Sequence, residues 1–294
     1  MRKLIYKINV NTFPCTVLQF MRSQGFSKQI LVSMKPFPDA ILRNDKHPFM
    51  DDSLVPGDTL IITLPKETPS EKIIPYDYPL DVIFEDEDIL VVNKPSGMPV
   101  HPSQGHYEHT LANAVCHHMQ IKKENYVFRC INRLDRDTSG ILVIAKNALS
   151  SAVLYNQMRC RRIKRTYLAL AEGTTPLKGS ISAPIARVDA STIMREVNFD
   201  HGEDAITHYE RLSENNGLSL LELHLETGRT HQIRVHMKHI GNPLPGDFLY
   251  NPNYDRIKRQ PLHSYQLEFE HPILHHQMLF TAPVPEDMYQ AFID

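Results

Sequence analysis

The chain has 294 residues, 41% hydrophobic and 22% charged, with a formal net charge of −2. This is the composition of an ordinary soluble globular protein, long enough for one large domain and a small one, each with its own core. No apolar run reaches bilayer length, the opening MRKLIYKINV lacks the continuous apolar stretch of a secretory signal, and Cys15, Cys116, Cys130 and Cys160 show no CxxC spacing. A membrane protein, a disulfide framework and a zinc knuckle are thereby excluded, and the expected setting is cytoplasmic, with reduced thiols.

In chain order, LIYKINV predicts a strand, CTVLQFMRSQG a helix ended by Gly25, FSKQILVSMK a segment with Ser27 as N-cap, and VPGDTLIITL a turn and a strand. Four prolines between Pro65 and Pro79 predict a stiff linker. We therefore expect a small domain at residues 1–75 and a larger one at 76–294. In the second, VIFEDEDILVVNKPSG, ILVIAK, TYLALAEG, HSYQLEFEHP and QMLF carry strand signals. LLELHLE alternates strictly, with Leu221, Leu223 and Leu225 on one face. TLANAVCHHM, NALSSAVLYNQM and RTHQIRVHMKHI read as helices. In the last, beginning near Arg229, Ile233, His236, Met237 and Ile240 form one stripe. Many strands with irregularly inserted helices predict an α+β fold on a largely antiparallel or mixed sheet.

Charge is unevenly spread. From Arg129 to Arg165 there are nine Lys/Arg against two Asp/Glu, and from Tyr76 to Phe128 three against eight. A focused basic surface on an acidic body suits phosphate binding, although a solvated helix face would look the same.

Three stretches could carry chemistry. In CINRLDRDTSG, Asp135 stands between Arg133 and Arg136 in a turn before a strand. A facing arginine lowers a carboxylate pKa by roughly 1–3 units, and such an anion in a dry site is a competent nucleophile. On spacing alone, a surface ion-pair cluster is the more common outcome. In MRCRRIKRTYLAL, five of the seven residues from Arg159 to Arg165 are basic, and Tyr167 follows on a strand. Cations neutralise phosphates and an aromatic ring stacks on an unpaired base, but cations also decorate helix C-termini. In ETGRTHQIRVHMKHIGNPLPGD, Arg229 falls at a strand-to-helix junction. His231 and His236 are five apart and the HExxH glutamate is missing, so a zinc site is not expected.

INRLDRDTSGILVIAK, RTYLAL and ETGRTHQIRVHMKHIGNPLPGD resemble, in order, the three core motifs of the RluA-type RNA pseudouridine synthases. ILVVNKPSGMPVHP resembles that family's opening motif, and PLHSYQLEFEHP with FTAPVPEDM its closing segment, so the likeness runs from about Val82 to Met288. The first domain, through FSKQILVSMK and LVPGDTLIITL, is similar to an S4-type RNA-binding module. The chain departs from the family at Asn132, where histidine is usual.

The resemblance implies an isomerase that turns uridine into pseudouridine in structured RNA, ribosomal RNA before transfer RNA, acting as a monomer with no cofactor, metal or membrane. It implies Asp135 as nucleophile, Tyr167 stacking on the uracil and Arg229 pairing with Asp135. Arg133, Arg161, Arg162 and Arg165 would meet phosphates, and Leu262 would wall the pocket. A nucleic-acid glycosylase, for which Asp137 is the nearby second carboxylate, and a silent RNA-binding module are the alternatives.

Overall fold

The computed structural model describes residues 2–10, 14–103, 105, 107–189, 191 and 193–294. The first strand is β1 (Lys3–Lys7), followed by helices α1 (Val17–Ser23) and α2 (Lys28–Met34) and by strands β2 (Ile41–Arg43) and β3 (Thr59–Thr63). Thr16 closes α1 with a capping box, and the Ser27 hydroxyl accepts from the Ile30 N–H to start α2. The three strands form their own sheet in the order β1-β3-β2. Alternation in β3 buries Leu60 and Ile62 against Val17, Met21 and Ile30 of the two helices.

The remaining strands are β4 (Val82–Glu85), β5 (Ile89–Lys94), β6 (Ser139–Ala145), β7 (Lys164–Glu172), β8 (Lys178–Ser182), β9 (Ile185–Arg187), β10 (Arg195–Val197), β11 (Ile206–Asn215), β12 (Leu218–Leu225), β13 (Leu262–Glu270) and β14 (Gln277–Thr281). They alternate with α3 (Leu111–Ile121), α4 (Ala148–Arg159), α5 (Gln232–His239) and α6 (Glu286–Ile293). Among the described residues, nine strands make one sheet in the order β4-β5-β6-β13-β7-β12-β11-β8, with β14 on β13. Its pairs are antiparallel except β6 with β13, which run parallel through His263 opposite Ser139 and Ser264 opposite Gly140. The α+β class and mixed, mostly antiparallel sheet expected from the sequence are thus present.

Period two explains the layers. On β5 and β6, Leu90, Val92, Leu142 and Ile144 face a core shared with α3 and α5, while Ile89, Val91, Ile141 and Val143 face a second core under α4 and β14. At Gly140 (φ +111°) a Cβ would lie 2.2 Å from the Ser264 carbonyl oxygen, so only glycine lets β13 approach β6 here. The N-terminal unit stands on α4. Leu149 belongs to its core, Val153 packs against it, and the Arg2 guanidinium holds both carboxylate oxygens of Asp88 at 3.0 and 2.7 Å. Asp88, Asp86 and His271 form an acidic cluster at this junction, and the Asp88 charge is already met by Arg2 and the Asn147 amide. Among the described residues, no helix is long and apolar enough to cross a membrane.

Candidate active site

The turn carrying Asp135 is built from both sides. Upstream, Asn132 is buried, its amide donating to the Ile141 carbonyl at 3.1 Å and accepting from the Val143 N–H at 3.0 Å. The departure from the family pattern therefore keeps a side chain able to donate and accept, and it fastens the turn to β6. Downstream, the Thr138 N–H donates to the Asp135 carbonyl at 3.2 Å. From behind, the Lys94 ammonium, with no exposed surface, donates to the carbonyls of Pro95, Met98 and Arg136 at 2.7, 2.8 and 2.9 Å. Ser96 and Arg259 both donate to the carbonyl of Asp137. The loop is rigid because its carbonyls are satisfied by buried donors.

Asp135 keeps 26% of its side chain exposed, and its Oδ2 accepts from Arg234 at 2.7 Å. Arg234 is 1% exposed and projects from the first turn of α5. Its other face donates to Asp247 at 2.6 and 2.8 Å, while Phe248 and Tyr250 lie over the guanidinium at 5.6 and 5.0 Å. Burial alone would lower the arginine's pKa, but the two carboxylates outweigh it and raise the pKa, so Arg234 stays charged. Asp247 is itself fully buried and also accepts the backbone N–H groups of Leu249 and Tyr250. The cation is shared by two anions, one buried and structural, the other open to a ligand.

Arg229, expected to pair with Asp135, does not. Its guanidinium binds Glu203 and donates to the Asp204 carbonyl at 3.0 Å. The reason is where the helix starts. α5 begins at Gln232, three residues later than the sequence suggests, because Gln232 fastens the preceding loop by accepting from the Arg229 N–H and the Thr227 hydroxyl. Arg229 thus remains on the rim, and Arg234, one residue off the apolar stripe, turns inward between Ile233 and Val235.

Tyr167 lies on β7, with Ser264 of β13 opposite on one side and Leu223 of β12 on the other. It is 4% exposed. Burial raises its pKa; the Arg165 charge works against this and the Asp135 charge adds to it, which places the phenol within the field of the carboxylate. Leu262 packs in the same core as Tyr167 and Leu134. Arg165 is half-buried and donates to the Thr227 carbonyl at 3.3 Å, against Gly228. Arg161 is exposed and paired with Glu226 at 2.8 Å, and Arg133 and Arg162 are exposed. Among the nearby histidines, His236 is buried between Thr207 and the Ala183 carbonyl. His231 precedes α5, with its Nε2 3.9 Å from Asp135 Oδ2.

Asp137, the second carboxylate nearby in sequence, is held by Arg136 at 2.9 and 2.8 Å. The arrangement offers one anionic oxygen pair beside a buried cation and an aromatic wall, which suits nucleophilic attack on a carbon centre.

Known proteins share the sequence and the fold around this site. The sequence pattern of the family described as RNA pseudouridylate synthase matches residues 88–239. The chain is 38% identical over 274 residues to the uncharacterized RNA pseudouridine synthase YjbO of Bacillus subtilis, covering 93% of this chain and 96% of that one. It is 41% identical over 251 residues to the ribosomal large subunit pseudouridine synthase D of Zymomonas mobilis, covering 80% and 77%. Among solved structures, the human RNA pseudouridylate synthase domain containing 1 superposes with a TM-score of 0.60 at 26% identity, over 70% of this chain and 83% of that one. The chain belongs to the RluA-type RNA pseudouridine synthases, isomerases that act on RNA.

Proposed function

We propose that the uridine is converted with Asp135 as nucleophile, Arg234 as its counter-ion and Tyr167 as the wall against which the uracil lies. The observation that carries this reading is the 2.7 Å bond from Arg234 to Asp135 Oδ2. It sets a buried guanidinium against one carboxylate oxygen while leaving Oδ1 without a donor among the described residues. In the reaction the bond from C1′ to N1 breaks, C1′ joins C5, and the C5 proton is lost while N1 gains one. Substrate and product are isomers. The target base must leave its stack to reach the turn, so a flipped nucleotide is the bound form.

Arg133, Arg162 and Arg165, with Arg161 once it is released from Glu226, supply cations for the flanking phosphates. Residues 1–75 act as an S4-like RNA-binding module; their packing on α4 gives that surface a fixed direction relative to Asp135. Ribosomal RNA is favoured as substrate, since one relative is named for the large ribosomal subunit.

The test is incubation of the purified protein with total RNA from a strain lacking it, followed by digestion and counting of pseudouridine and free uracil. Pseudouridine from the native protein and none from Asp135→Asn is the expected result. Free uracil without pseudouridine would instead indicate a glycosylase.

A further inference from the structure

We infer that His231, locked by Tyr250 into one tautomer, is a positioning residue for Asp135 that makes Oδ1 the attacking oxygen. This rests on the reading of Asp135 as the nucleophile.

His231 sits where a side chain is costly to place. Its backbone is left-handed (φ +58°, ψ 18°), it occupies the N-cap position of α5, and its side chain makes no capping bond. Seven other described non-glycine residues share this conformation, His109 and His275 among them, so it is the contacts of the ring that single out His231. The ring is turned inward, 12% exposed, between Tyr250 and Asp135.

The hydrogen bonds fix its proton. The Tyr250 hydroxyl accepts the Arg195 backbone N–H at 2.9 Å, and its other contact is His231 Nδ1 at 2.9 Å. A buried phenol O–H needs an acceptor, and Nδ1 supplies it. The neutral imidazole then carries its hydrogen on Nε2, the nitrogen that faces Asp135 Oδ2 at 3.9 Å. Tyr250 is anchored independently, since its backbone N–H is held by Asp247 and its ring lies over Arg234.

Two donors therefore converge on Oδ2, Arg234 in contact and His231 one small movement away. Attack by Oδ1 forms an ester either to C1′, as the C1′–N1 bond breaks and its pair leaves with the uracil, or to C6, as the C5=C6 π pair shifts toward the C4 carbonyl oxygen. When that ester opens, its bonding pair returns to the carboxylate, and the restored charge is shared with Oδ2, where both N–H groups stand ready. Donors aimed at the site of returning charge accelerate such a step without strengthening RNA binding.

The experiment uses the full chain and ribosomal RNA from a strain lacking it, measuring the saturated rate of pseudouridine formation and the half-saturating RNA concentration. His231→Gly relieves the backbone and deletes the ring. It is expected to slow the saturated rate about ten- to hundredfold while leaving the half-saturating concentration within about twofold. His231→Gln places an amide N–H near the Nε2 position and is expected to recover to within about fivefold of the native rate, despite the less comfortable backbone. Tyr250→Phe, which frees the tautomer, should fall between them, with the native circular dichroism spectrum retained.

A glycine variant within twofold of native, or a glutamine variant as slow as glycine, overturns the assignment and leaves the nucleophile standing. An active Asp135→Asn protein overturns both.

Discussion

Asp247, with no exposed surface, binds two nitrogens of Arg234 and leaves the third for Asp135, so the cation facing Asp135 is aimed by a carboxylate 13 residues further along the chain. Removing Asp247 would leave a buried cation turned toward one partner. Asp247→Ala is expected to destabilise the fold by about 3–5 kcal/mol. Its activity should fall further than the unfolded fraction explains. Urea unfolding alongside single-turnover assays on the folded protein checks both.

Arg234 and Arg229 separate cleanly by mutation. Arg234→Lys keeps a charge but cannot span Asp247 and Asp135 together, and is expected to lose at least about a hundredfold in saturated rate, ~2.7 kcal/mol of transition-state stabilisation. Arg229→Ala, which removes a rim contact to Glu203, should stay within about fivefold. Equal losses in the two variants would mean that Arg229 leaves Glu203 for the substrate.

His263 gives the fold a pH dependence. Burial holds its imidazole down at about 4, against about 6.5 in an unfolded chain. Between those values the unfolded state binds the extra proton, so stability rises with pH across the window and is lost as pH falls from 6.5 toward 4. The full effect is ~3 kcal/mol. His263→Asn, which can still meet the Ser139 hydroxyl, should flatten that slope in urea titrations at pH 7 and 4.5.

At Gly25 (φ +93°) a Cβ would lie 2.4 Å from Val153 Cγ2, so Gly25→Ala strains both the turn after α1 and the seat of the N-terminal unit on α4. A loss of about 1–3 kcal/mol is expected. Because Leu149 sits in the N-terminal core, unfolding should remain one transition at lower temperature, which calorimetry would read.

Strands such as β3, β6, β7, β12 and β13 and the Ser27 cap were legible because each rests on a local pattern, whereas β2 and β8–β11, short or without an uninterrupted apolar run, were not. Leu221 and Leu223 follow period two, and Ser27 carries its own capping oxygen. The turn position of Asp135 ahead of β6 and the strand position of Tyr167 were legible as well. Arg234 was not, since helical periodicity assigns buried positions to apolar residues and a buried arginine is only intelligible once Asp247 is seen beside it. The start of α5 was missed for a similar reason: the Gln232 side chain, which bonds the loop before it, has no signature in spacing. Lys94 behind the Asp135 turn likewise reads as an ordinary polar residue at a strand end until three carbonyls are found around it.

The parallel seam of β6 and β13 has a consequence for biosynthesis. Ser139 and His263, which meet there at 2.9 Å, are separated by 124 positions. A nascent chain that has just emerged with Asp135 has no neighbour on that flank of the strand, and closure of so long a loop is slow compared with local folding. Asp135 is therefore translated well before it is framed, and a ribosome-tethered fragment ending ahead of residue 262 should be incapable of modifying the RNA around it.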